Sequence, residues 1–100
     1  MDSRILKVKI KGDSMWPTFS DGDVIACEHY EGQSVSVGDL VVFTHPFKNG
    51  VTCVKRVKSL TEKGYFVEGD NPDPLASEDS HNFGTVDKSA ILGYRRQGTE

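Results

Sequence analysis

Ile5-Leu6-Lys7-Val8-Lys9-Ile10-Lys11 sets Leu6, Val8 and Ile10 against Lys7, Lys9 and Lys11 without a break. A period of two belongs to a strand with one face in a core and the other in water. Directly after it comes Gly12-Asp13-Ser14-Met15-Trp16-Pro17-Thr18, a turn that sets a serine at the strand's end. The same pattern recurs downstream. Asp21-Gly22-Asp23 marks a turn before an expected strand at Val24-Ile25-Ala26-Cys27-Glu28. Gly38-Asp39 leads into Leu40-Val41-Val42-Phe43-Thr44. Asn49-Gly50 signals a hairpin into Val51-Thr52-Cys53-Val54-Lys55-Arg56-Val57-Lys58. Lys63-Gly64 turns into Tyr65-Phe66-Val67-Glu68, and a last strand is expected from about Ala90 to Arg95.

No segment sustains a helical period, and ten glycines with four prolines interrupt any long candidate. The expected fold is all-β: a compact, coiled or barrel-like sheet of short, mostly antiparallel strands. The 100 residues are read as one domain, 1–100. Residues 69–85 are expected to form a long loop without secondary structure. Such loops are uncommon in compact domains unless they are functional or disordered.

Hydrophobic content of 36% and charged content of 27% indicate a globular chain. A net charge of −3 argues against a nucleic-acid-binding module, which carries a clustered basic excess. No stretch approaches the roughly 20 apolar residues of a membrane span, and Met1-Asp2-Ser3-Arg4-Ile5 lacks the apolar segment of a secretory leader. A cytoplasmic location is the resulting expectation. Cys27 and Cys53 both fall in expected strands and read as buried thiols in a reducing compartment. Neither C-x-x-C nor H-x-x-x-H spacing is present, so no metal or other cofactor is expected. His29, His45 and His81 have no motif around them, and His45-Pro46 reads as a strand exit.

Val51, Cys53, Lys55 and Val57 share one face of an extended strand, and Lys55 is the charged residue among them. Arg56 and Lys58 lie on the other face, with an expected route to solvent. Taken alone, Lys55 reads as a snorkelling lysine and Ser14 as a turn residue. Taken together, they offer a nucleophile and a base. A serine hydroxyl needs a base beside it, and a lysine serves only when neutral. Bringing an amine with an ordinary pKa of about 10.4 to neutrality near pH 7 costs roughly 4 kcal/mol, which burial can impose. Gly12 is expected to let backbone or substrate approach closely. Asp13 supports the turn, and the Ser14 N–H is placed to hold an oxyanion. Met15 is expected to anchor the turn and Pro17 to stiffen it. Trp16 and Phe19 are expected to line the core or a substrate groove.

These residues resemble the signal peptidase I family. The serine motif is Ser14-Met15-Trp16-Pro17-Thr18, and the lysine motif is Lys55-Arg56-Val57. The third motif is Gly69-Asp70-Asn71, followed by Ser77-Glu78-Asp79-Ser80-His81 and Gly84. The resemblance implies that Ser14 is the nucleophile and Lys55 the general base, with Ser77 orienting the lysine. It also implies that Asp79 and Ser80 hold the loop against the catalytic strand. Two positions depart from the family. Gly12 stands where many members carry a serine that aids the oxyanion hole, and His81 replaces an arginine. Gly69-Asp70-Asn71-Pro72-Asp73 and Phe83-Gly84-Thr85-Val86 are most similar to the soluble nickel-type superoxide dismutase maturation proteases. That likeness implies a serine endopeptidase that removes a short N-terminal extension from a cytoplasmic precursor polypeptide, without a cofactor of its own. Two other readings stand beside it: a self-cleaving peptidase domain of the SOS-repressor kind, and a non-catalytic β-domain that binds a peptide.

Overall fold

The computed structural model describes residues 4–98. The reading of residues 1–3 as free of a leader, and the two ends of the 1–100 domain, lie outside them. Six strands form: β1 (Ile5–Lys9), β2 (Val24–His29), β3 (Leu40–Thr44), β4 (Thr52–Thr61), β5 (Gly64–Glu68) and β6 (Ile91–Arg95). They make one sheet in the order β1-β2-β6-β3-β4-β5, and every neighbouring pair is antiparallel. The all-β expectation holds.

β3 is the centre of the fold. Leu40-Val41-Val42-Phe43 is an unbroken apolar run, and all four side chains are buried. Such a run suits a strand covered on both faces. Val41 and Phe43 enter one core with Val57, Tyr65, Val67 and Phe83. Leu40 and Val42 enter a second core with Ile10, Met15, Phe19 and Ile25. Each large side chain so buried contributes about 1.5–3 kcal/mol. With a core on each face, the sheet is the centre of a compact body with a radius of gyration of 12.5 Å. β4 pairs along β3 with Val42 opposite Val54 and Val41 opposite Lys55. The lysine is thereby drawn into the packed middle of the sheet.

Residues 69–85 correct the expectation of a structureless loop. They contain a 3-10 turn, Pro74–Ala76, and a one-turn helix, α1 (Ser80–Phe83). Caps make both possible. The Asp73 carboxylate accepts from the Leu75 N–H, with proline in the first turn. Asp79 accepts from the His81 N–H, while the Asn82 side chain returns to the Asp79 N–H, a reciprocal capping box. Four residues are too few to show a period in sequence. No helix among the described residues is long and apolar enough to cross a membrane.

Candidate active site

The serine turn is held from below and from behind. Met15 is 1% exposed and plugs the second core. The Phe19 N–H donates to the Met15 carbonyl at 2.9 Å, and the Trp16 N–H to the Asp13 carbonyl at 3.1 Å. The Trp16–Pro17 peptide is cis. Trp16 and Phe19 part company, since Phe19 is buried and Trp16 is 50% exposed. A Cβ at Gly12 would meet no protein atom within 4 Å, and the residue's φ of +79° is the conformation that favours glycine there. The Gly12 N–H is already committed to Asp21 Oδ1 at 2.7 Å, which leaves no donor there for an oxyanion. The Ser14 N–H has no acceptor among the described residues.

Lys55 is 6% exposed, and its Nζ lies 2.9 Å from Ser14 Oγ. Loss of solvation pushes its pKa below that of an ordinary lysine; Cys53, Asp79 and Glu78 oppose the shift but do not cancel it. In the neutral form, the amine lone pair accepts the serine O–H. In the charged form, Nζ–H donates to Oγ and no base is present. The geometry thus joins an alcohol to an amine that burial drives toward neutrality.

The third motif ties the other two together. Asn71 donates from its N–H to the Ser14 carbonyl at 2.9 Å and from its side-chain amide to the Asp13 carbonyl at 2.8 Å. Asp13 therefore contributes its main chain to the site. Gly69 packs so closely that a Cβ would lie 2.6 Å from the Ser14 carbonyl oxygen and 2.4 Å from Ser77 Oγ. Asp70 accepts from Arg56 Nε at 2.9 Å, Arg56 Nη2 at 2.7 Å and the Thr18 hydroxyl at 2.7 Å. Burial alone would raise the Asp70 carboxyl, but these donors outweigh it and hold it below the usual range. Arg56 corrects a second expectation: its side chain turns inward to this carboxylate and to the Gly38 carbonyl rather than to solvent.

Ser77 lies beside Asp79. Its hydroxyl donates to Asp79 Oδ2 at 3.1 Å, and among the described residues no hydrogen bond joins it to Lys55. A carboxylate is the stronger acceptor and lies two residues away. Asp79 also accepts from the Gly69 N–H at 3.2 Å, and Ser80 Oγ accepts from the Val67 N–H at 2.8 Å. The loop is thereby fastened to β5. Burial would raise the Asp79 carboxyl, but hydrogen bonds from His81, Gly69 and Ser77 hold it low. His81 Nδ1 lies 2.9 Å from Asp79 Oδ1, and Nε2 lies 3.7 Å from Glu68. When protonated, it forms an ion pair within the loop at the position where the resembled family carries an arginine.

Sequence reasoning missed His45. Its buried ring bonds through Nε2 to Glu78, while Nδ1 accepts from the N–H groups of Phe47 at 3.0 Å and Lys48 at 3.2 Å. With Nδ1 accepting, the proton sits on Nε2 and is donated to the carboxylate. His45, Glu78, Ser14 and Lys55 line one groove of about 720 Å³. No local spacing connects His45 to Glu78, so only the fold could bring them together. Both cysteines are free thiols, and burial pushes Cys27 up to about 11. Among the described residues, no cluster of three or more His, Cys, Asp and Glu is arranged to hold a metal.

The fold and the site together define an antiparallel β-sheet domain with a serine–lysine contact beside a groove. The family model described as Peptidase S24-like matches residues 2–93, and the chain belongs to that family. Membership makes it a serine-peptidase or self-cleaving domain in general terms, within the superfamily that S24-like and signal peptidase I-like proteins share. No curated protein matches this chain by sequence.

Proposed function

We propose that Ser14 and Lys55 are a catalytic dyad that hydrolyses a peptide bond in a precursor polypeptide. The observation that carries this reading is the 2.9 Å contact between Lys55 Nζ and Ser14 Oγ at a lysine almost sealed from water. As Oγ attacks the scissile carbonyl carbon, its proton passes to the neutral Lys55 amine. The carbonyl oxygen takes the negative charge and faces the uncommitted Ser14 N–H. Lys55 then gives its proton to the departing amine, and the C–N bond breaks. Water, deprotonated by the same amine, attacks the acyl-serine and restores the hydroxyl.

The substrate is read as an extended segment added to the sheet edge. The nickel-type superoxide dismutase precursor is our specific proposal. It rests on the likeness of Gly69-Asp70-Asn71-Pro72-Asp73 and Phe83-Gly84-Thr85-Val86 to the maturation proteases. Two free thiols favour a reducing, cytoplasmic setting. The test is mass spectrometry of that precursor incubated with the parent protein, Ser14→Ala and Lys55→Ala. Loss of the N-terminal extension with the parent only is expected, and cleavage surviving both substitutions would remove the dyad. The S24-like match favours a second reading, self-cleavage. Fragments of this chain accumulating on incubation alone, at a rate independent of its concentration, would select it.

A further inference from the structure

The groove that holds Ser14 and Lys55 is bordered along one side by β1. β1 lies at the end of the sheet and pairs only with β2 among the described residues. Every second backbone N–H and C=O of an edge strand points outward. Leu6, Val8 and Ile10 turn toward the second core. Lys7 and Lys9 on β1, and Lys11 two residues past its end, are exposed and border the groove. None of the three has a carboxylate partner among the described residues. Beyond these, the groove carries Lys55 as the amine beside the serine and the pair Lys48–Glu78, 3.2 Å apart, whose charges neutralise one another. A chain of net charge −3 therefore presents an uncompensated row of cations at the approach to its serine.

We propose that the substrate segment lying along β1 carries acidic side chains at every second position, Asp or Glu opposite Lys7, Lys9 and Lys11. Alternate residues in a strand are about 6.8 Å apart, and a polypeptide paired to β1 repeats that spacing. Its acidic face meets the lysines, and its other face, small or apolar, meets the groove floor of Met15, Val42 and Val54. Lysines on an edge strand also guard against edge-to-edge pairing. A guard needs only scattered charge, whereas three like charges in register form a complementary surface. The inference rests on the peptidase reading above only for the groove being the substrate channel.

Binding tests it without turnover. The Ser14→Ala chain is titrated by fluorescence anisotropy with labelled peptides of equal length that alternate Glu with Ala or Gln with Ala, or that gather the same glutamates in one block. Three cross-strand charge pairs amount to about tenfold in affinity. The alternating Glu peptide is expected to bind about tenfold tighter than either other peptide, with an advantage that shrinks as salt rises. Adding Lys7→Gln, Lys9→Gln and Lys11→Gln together should erase that advantage, with circular dichroism unchanged because all three side chains are exposed. Equal binding of the three peptides, an advantage that survives the triple substitution, or no binding at all overturns the inference. If the precursor is still cleaved in the Ser14-dependent assay, such a result removes the acidic preference alone. Failure of cleavage with the preference intact removes the peptidase reading alone.

Discussion

Gly69→Ala isolates the contact between the third motif and the serine turn. The new Cβ would sit 2.6 Å from the Ser14 carbonyl oxygen and 2.4 Å from Ser77 Oγ. The hydroxyl can rotate away, but the carbonyl is backbone and can yield only if the turn moves. Restoring ordinary contact requires a displacement of about 0.8 Å. Overpacking of this kind costs about 1–3 kcal/mol. Loss of unfolded-chain freedom on replacing glycine returns only about 0.4–1 kcal/mol, so the clash wins. The net loss of about 1–2 kcal/mol corresponds to a fall in Tm of roughly 5–10 °C for a domain of this size. The catalytic effect should be larger, because a misplacement near 1 Å costs about 100-fold in rate. The assay is kcat/KM on the precursor beside a thermal melt of the same sample. Activity within about twofold of the parent, with Tm unchanged, would refute the claim that Gly69 seats the nucleophile turn.

Three further outcomes are expected. Asp70→Asn should destabilise the fold at pH 7 by about 1.5–3 kcal/mol, since Arg56 and Thr18 lose their shared carboxylate. The folded Asp70 pKa is depressed, so its contribution is present above the unfolded carboxylate pKa of about 3.9 and is lost as pH falls through the folded value. Denaturant melts from pH 7 down to acid should therefore show a smaller acid loss in the variant than in the parent. Lys55→Met should abolish cleavage yet stabilise the protein at pH 7 by on the order of 1 kcal/mol, because a buried amine is replaced by an apolar side chain. The folded Lys55 pKa is depressed, so the unfolded chain binds more protons between the folded and unfolded values. The penalty is full below the folded pKa and disappears as pH rises to the unfolded one; melts across that range check it. Glu78→Gln removes a charge that raises Lys55, so the rising limb of the pH–rate profile should move to lower pH.

The strands could be read from alternation because burial on one or two faces leaves a local record. Ile5–Lys9 and Leu40–Thr44 show it. What depends on distant partners left none. Arg56 looks like any strand cation until Asp70 is folded beneath it. Ser77 looks like a partner for Lys55 until the nearer carboxylate of Asp79 takes its hydroxyl. The turn of α1 was readable in principle from Asp79 and Asn82, which stand at capping-box spacing, but it is shorter than any periodicity. The nearness of Ser14 to Lys55 came from motif resemblance. Strand patterns alone did not distinguish a base from a snorkelling lysine.

Catalysis by this dyad requires a neutral Lys55 amine acting on Ser14. The direct measurement is a pH titration of the Lys55 side-chain carbon signals by NMR, recorded beside the cleavage rate under the same conditions. The amine is expected to lose its proton well below the value of about 10.4 of an ordinary lysine, with the rate rising along the same curve. An amine that stays charged throughout the range in which cleavage accelerates would contradict that requirement.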